Sequence, residues 1–272
     1  MTTATSWPNF ETIALEWRAG KSGVAQVSMN RPSVFNAFDE QMIQELQQAF
    51  ILLGQDPKVR VIVLKGEGKH FSAGADLKWM QRASSASPEW NLQDARRFAA
   101  MLYVLQSCPK PTVARIQGAA LGGGVGLACA CDFAYAAVDA TFSVSEAKFG
   151  ILPAVIGPYV TNAVGKRQAK RLALTATRVG ATEALSIGLI HGISELAELD
   201  TAIDQTVAEL LHCGPQAQTE IKRLFSKLSV AEVTPEVLEL TAQTISRVRG
   251  TDEAKAGFEA FLNKQPAPWI ES

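Results

Sequence analysis

The sequence predicts an α/β protein, with strand–turn–helix units through its first two-thirds and helices alone in its last third. Three observations carry that prediction. Short β-rich or apolar runs alternate with helical periodicity up to about residue 160. Glycine-rich turns follow two of those runs, at residues 71–77 and 118–124. Beyond residue 160 the apolar positions recur only at helical spacing. At 272 residues the chain exceeds the roughly 100–200 usual for one domain, which fits one large domain or a core with an appendage.

In chain order, "TIALEW" and "VAQVSMN" are β-rich and flank Gly20 and Gly23, the pattern of a hairpin. Asp39 then caps a helix, "DEQMIQELQQAFILL", whose Met42, Ile43, Leu46, Ala49, Phe50 and Leu53 share one face. "VRVIVLKG" is a buried strand, and "GEGKHFSAGAD" turns out of it. Residues 78–93 read as a loose loop, because "SSASP" is poor in apolar residues and breaks any period. "DARRFAAMLYVLQS" is a helix, "PKPTVARIQG" a strand bounded by prolines, and "GAALGGGVGLACACD" a turn running into a helix of small residues. "FAYAA" and "TFSVSE" are short strands. Helices are expected at 166–176, 198–212, 215–228, 233–247 and 251–263.

Composition narrows the function. The net charge is −1 with lysines and arginines dispersed, which argues against a nucleic-acid footprint. Cys108, Cys129, Cys131 and Cys213 with three histidines fit no zinc spacing, so no metal is expected, and buried free cysteines suit a reducing, cytoplasmic setting. The opening "MTTATSWPNFETI" lacks a basic stretch followed by an apolar one, so no secretory signal is expected. Residues 116–131 carry no charge but are too few, and too rich in glycine, for the roughly 20 residues of a membrane span.

The five glycines of residues 118–132 then need a purpose. A dinucleotide fingerprint fails in register: counted from Gly122 its third glycine falls on Leu127, and from Gly124 on Cys129. No lysine follows for a phosphate loop. What remains is a strand-to-helix turn with uncovered amides, and "FSAGADL" is a second one. Two such amides aimed at one point would form an oxyanion hole. Close helix packing explains the glycines equally well from spacing alone.

"FSAGADLKWM", "QGAALGGGVGLACACD" and "SEAKFGILPA", with "RPSVFNAF" near the start and "GFEAFLNK" near the end, resemble the crotonase, or enoyl-CoA hydratase/isomerase, superfamily over nearly the whole chain. The resemblance implies a ClpP-like spiral core of ββα units at 1–195, a C-terminal helical region at 196–272, and homotrimers or hexamers. It implies an acyl-CoA thioester as substrate, with coenzyme A part of that substrate and no separate cofactor.

By position, the resemblance puts the oxyanion amides on Ala75 and Gly123, and an acid/base on Glu146. Family hydratases carry a further glutamate three residues beyond the oxyanion glycine. Here that position is Gly126, which departs from the pattern. The coenzyme A moiety is expected along "RPSVF" and "SAGADLK", which include Val34, Ala73, Asp76, Leu77 and Lys78, and near Phe261 and Lys264. Trp79, Met80, Leu152 and Pro153 are candidates for the acyl pocket, while His70 and His191 have no partner pattern. One carboxylate suffices for syn hydration, or for moving a proton from C2 to C4 in a double-bond isomerase. The string "ADLKWM…GGGVGL…ILPAVIGPYV" resembles bacterial hydratases of methylglutaconyl-type thioesters, from leucine and acyclic-terpene breakdown, which favours hydration. Isomerase, or a non-catalytic acyl-CoA-binding protein, is the alternative.

Overall fold

The computed structural model describes residues 7–228 and 234–270. In chain order the strands are β1 (Ile13–Trp17), β2 (Val24–Met29), β3 (Val61–Gly66), β4 (Thr112–Ile116), β5 (Ala119–Leu121), β6 (Phe133–Ala137), β7 (Thr141–Ser143), β8 (Val179–Gly180) and β9 (Gly192–Ser194). The expected hairpin forms, with β1 antiparallel to β2. From there the strands run parallel in a six-stranded sheet of order β1-β2-β3-β4-β6-β9. A second sheet, β5-β7-β8, forms beside it.

Successive units repeat one plan: a strand in the large sheet, a short extended piece in the second layer, then a helix. β4, β5 and α4 (Gly123–Ala130) make one such unit. In the two earlier units the short piece is shorter still, surviving as the parallel bridges Phe38–Ala75 and Ser72–Ala120.

The inner strands β2, β3 and β4 are buried on both faces, which is why they are rich in continuous apolar residues. Side chains alternate across the large sheet. Ala25, Val27, Met29, Ile62, Leu64, Ala114 and Ile116 face the main core, while Val24, Val61, Val63 and Val113 face the other way. The second face is covered by Leu199, Ile203 and Val207, spaced four apart on one helix.

The helices are α1 (Glu40–Gln55), α2 (Leu77–Ser85), α3 (Pro88–Ser107), α4, α5 (Gly157–Thr175), α6 (Ala181–Ser186), α7 (Leu199–Leu211), α8 (Pro215–Phe225), α9 (Pro235–Arg249) and α10 (Asp252–Leu262). Each fully buried aliphatic side chain contributes about 1.5–3 kcal/mol, so three of them hold α7 firmly on the sheet. By contrast α9 and α10 bury none of their residues within the chain. Residue 233, where the fourth of the expected late helices was to begin, lies outside the described residues.

Two expectations fail. Residues 78–93 are not a loop: α2 and α3 occupy them, divided only by a turn at Ala86–Ser87. Their signal is in the caps. Asp76 Oδ1 accepts from Lys78 N at 2.8 Å, and Ser87 Oγ accepts from Trp90 N at 3.2 Å ahead of Pro88. α2 buries only Trp79, so its remaining faces carry polar residues that mask the period. Nor is the chain purely helical after residue 160. β8 and β9 close the two sheets, too short to show alternation. α5 also begins earlier than expected, kinked at Gly165.

Candidate active site

The turn at residues 71–76 is strung between two elements that take its hydrogen bonds in a fixed order. Phe71 N donates to Gln117 O and Ser72 N to Ala119 O, while Leu121 N donates back to Ser72 O. On the other side Ala73 N donates to Phe35 O at 2.9 Å. Phe38 N then donates to Gly74 O at 2.7 Å, and Asp76 N to Phe38 O at 2.8 Å. In a parallel bridge, a residue that bonds both neighbours of its partner leaves the partner's own N–H and C=O facing away. The partner is Ala75, and its N–H has no acceptor among the described residues.

Gly74 makes this turn possible. Its φ is +86°, and an added Cβ would lie 2.8 Å from Leu121 O and 3.7 Å from Gly123 N. The residue before Ala75 therefore touches the start of α4. That helix opens at Gly123 with no side-chain cap, its N-cap Gly122 held at φ +48° with its N–H given to Ser143 O. The first N–H groups of a helix lack internal partners and carry its positive end. Gly123 N–H is one of them and has no acceptor among the described residues. Two open amides thus stand beside each other, one from each glycine-rich turn.

Glu146 begins a short 3-10 turn, Glu146–Phe149, just beyond β7. Its Oε1 would lie 3.3 Å from a Cβ on Gly122, at the mouth of α4. Its Oε2 is buried and has no hydrogen-bond partner. Burial is the main influence on the group and pushes its pKa above the ordinary carboxylate range, against a smaller pull from a backbone hydrogen bond. A carboxyl with one buried, unpartnered oxygen and a bias towards its protonated form is suited to taking and returning a proton.

Gly126 lies one helical turn beyond Gly122. A Cβ there would meet Ile156 Cγ2 and lie 2.9 Å from Ile156 Cβ. Ile156 is 1% exposed, so the place a side chain at 126 would take is filled by a packed isoleucine. Gly126→Glu is expected to destabilise the protein by about 1–3 kcal/mol, seen as a lower urea midpoint. The loss should shrink when Ile156 is already alanine, a coupling read in a double-mutant cycle. An equal loss in both backgrounds would mean the two residues do not compete for space.

Other predicted positions divide. The Ala73–Phe35 bond places the loop of Val34 beside Ala73, Ala75, Asp76, Leu77 and Lys78, so these form one continuous edge. Leu77 and Lys78 are exposed, and Lys78 has no ion pair among the described residues. Phe261 and Lys264 sit at the exposed end of α10, which packs on α8 and α9. Trp79 is buried and donates from Nε1 to Asp94 Oδ2 at 3.0 Å, with its ring edge-on to Phe98. Leu152 is exposed and Met80 and Pro153 half-buried.

His70 and His191 serve the backbone: their Nδ1 atoms accept from Ala119 N and Ala134 N, each at 3.0 Å. Burial lowers the pKa of both rings, keeping them neutral acceptors.

Sequence reasoning missed Phe38, Phe98 and Ile156. The first two rings would lie 2.7 and 3.0 Å from a Cβ at Gly123, so they pack against that glycine and leave no room for a side chain there. Phe38 stands in the quoted "RPSVFNAF", where Asn36 was the other available signal. Asn36 tolerates φ +54° and holds the loop through Arg31 N, Glu67 O and His70 O.

Residues 19–272 match the enoyl-CoA hydratase/isomerase family. The chain is 33% identical over 271 residues to the mitochondrial enoyl-CoA hydratase of Pongo abelii, covering 96% of this chain and 89% of that one. It is 35% identical over 213 residues to the peroxisomal Delta(3,5)-Delta(2,4)-dienoyl-CoA isomerase of Arabidopsis thaliana, covering 74% and 76%. The crystal structure of an enoyl-CoA hydratase from Shewanella pealeana superposes with a TM-score of 0.92 at 39% identity, over 96% of both chains.

Proposed function

The chain belongs to the enoyl-CoA hydratase/isomerase family, and from that premise we propose that it adds water across the α,β double bond of an acyl-CoA thioester. One observation carries the reading: two open backbone N–H groups and one buried, unpartnered carboxylate oxygen gather around the mouth of α4. The amides of Ala75 and Gly123 donate to the thioester oxygen. Glu146 takes a proton from water as the water oxygen bonds to C3, and the double-bond electrons move onto the thioester oxygen. The two amides hold that enolate, and the Glu146 carboxyl returns its proton to C2. With Ile156 in the space beside Gly126, one carboxyl performs both transfers.

The coenzyme A moiety lies along Val34, Ala73, Asp76, Leu77 and Lys78 in this reading, with Lys78 and Lys264 free to meet phosphate and Phe261 the adenine. A branched or glutaconyl-type acyl group rests on the motif resemblance. Assembly into trimers or hexamers is supported by α9 and α10, which leave Leu238, Ile245, Phe258, Phe261 and Leu262 exposed on one chain. No helix among the described residues is long and apolar enough to cross a membrane. A cytoplasmic setting is supported by four unpaired cysteines.

A second reading, double-bond isomerisation, is favoured by the lack of a carboxylate at position 126. Isotopes separate the two. Hydration is expected to place solvent ¹⁸O at C3 and solvent deuterium at C2 of crotonyl-CoA or 3-methylglutaconyl-CoA. Interconversion of 3-enoyl and 2-enoyl thioesters without ¹⁸O uptake would replace hydration with isomerisation.

A further inference from the structure

We infer that Arg31 is a positioning residue for the Ala75 amide, tying both flanks of the Phe38–Ala75 bridge to one guanidinium. The inference rests on the reading of Ala75 and Gly123 as the oxyanion site.

Arg31 Nη1 donates to the Ala37 carbonyl at 2.6 Å. Its Nη2 lies 3.0 Å from Asp39 Oδ2 and 3.1 Å from Asp76 Oδ2. Ala37 and Asp39 are the residues on either side of Phe38, and Asp76 is the residue after Ala75. Phe38 itself bonds Gly74 O and Asp76 N. Ala75 is thus held through its neighbours, and their far contacts converge on Arg31. Because Ala75 N–H has no acceptor among the described residues, these neighbours set its direction.

The two carboxylates have a second duty. Asp39 Oδ1 accepts from Met42 N and caps α1, and Asp76 Oδ1 caps α2. Arg31 therefore joins the caps of two helices, with the oxyanion turn between them. Burial works to raise the Asp76 pKa, but the Lys78 and Trp79 amides and Arg31 outweigh it and keep the group ionised. The Arg31 side chain is 22% exposed, less open than a simple surface pair. Two nitrogens in a rigid plane serve three partners here, which a lysine's single ammonium does not reproduce.

The test uses the full chain with Arg31→Met and Arg31→Lys. Hexanoyl-CoA labelled with ¹³C at the thioester carbonyl binds without turnover, and its infrared carbonyl stretch falls as the amides polarise it. Arg31→Met is expected to lose most of that shift and to lower kcat for crotonyl-CoA about 10-fold, with KM changed by less than about threefold. Arg31→Lys should fall between the two. A full carbonyl shift in Arg31→Met, whatever its thermal stability, would overturn the inference and leave Arg31 a structural ion pair. Should Arg31→Met not fold, Asp39→Asn carries the test, since asparagine still caps α1 while releasing one arm of the guanidinium. A parent protein that shows no carbonyl shift would instead sink the oxyanion reading itself.

Discussion

Glu146→Gln is expected to lower kcat for enoyl-CoA hydration by about 10²–10⁴ while acyl-CoA binding persists. Glutamine preserves the shape of the side chain and its contact with Gly122, but it neither accepts a proton from water nor returns one to C2. The position one turn along α4 supplies no second carboxyl, because it is Gly126 under Ile156. The substitution has a second expected signature. Burial raises the Glu146 pKa in the folded chain above its ordinary 4.5. The folded state therefore holds this proton more tightly than the unfolded chain does. That contribution to stability is complete below the unfolded value and is lost as pH rises through the folded one. Glutamine does not titrate, so the Tm of Glu146→Gln should gain on that of the parent as pH rises above the ordinary carboxylate value. Parallel Tm curves would mean the carboxylate reaches water. Full hydratase activity in the variant would place the base elsewhere.

Replacing the Ala75 amide by an ester is expected to lower kcat by about 10²–10³ with the fold intact. The change replaces by an oxygen an N–H that bonds no protein group among the described residues, and it weakens the Gly74 carbonyl as acceptor for Phe38 N. Thermal stability should fall only by the weakening of that one bond, about 1 kcal/mol, while turnover falls by orders of magnitude. A proline at Gly123 is a poorer probe, because a Cβ there already lies 2.7 Å from Phe38 Cε2 and 3.0 Å from Phe98 Cζ. Proline would overpack against those rings as well as delete the donor. An Ala75 ester with near-parent kcat would assign the glycines of both turns to packing alone.

Much of this arrangement follows from local chemistry. The hairpin and α1 were legible because their side chains repeat at two or at three to four residues, a period imposed by the backbone, and the inner parallel strands because they are continuous apolar runs. The two glycine-rich turns were legible because left-handed or crowded backbone restricts residue choice at Gly74 and Gly122. Where local preference was weak, the reading failed. α2 and the first turns of α3 are marked by their caps at Asp76 and Ser87 on a largely solvated surface, and β8 and β9 are shorter than any period.

The sequence by itself determined an α/β core with two open turns and a motif-matched Glu146. Only the tertiary structure decided how they act together. The Ala75 N–H is open because Phe38, distant in sequence, bonds its two neighbours in one register and not another. A side chain at position 126 has no room because Ile156 arrives from a later segment and fills that space. Asp39 and Asp76 meet at Arg31 because two helix caps fall side by side. Register, close packing and convergent charge arise between segments distant in sequence, and no short window of residues encodes them.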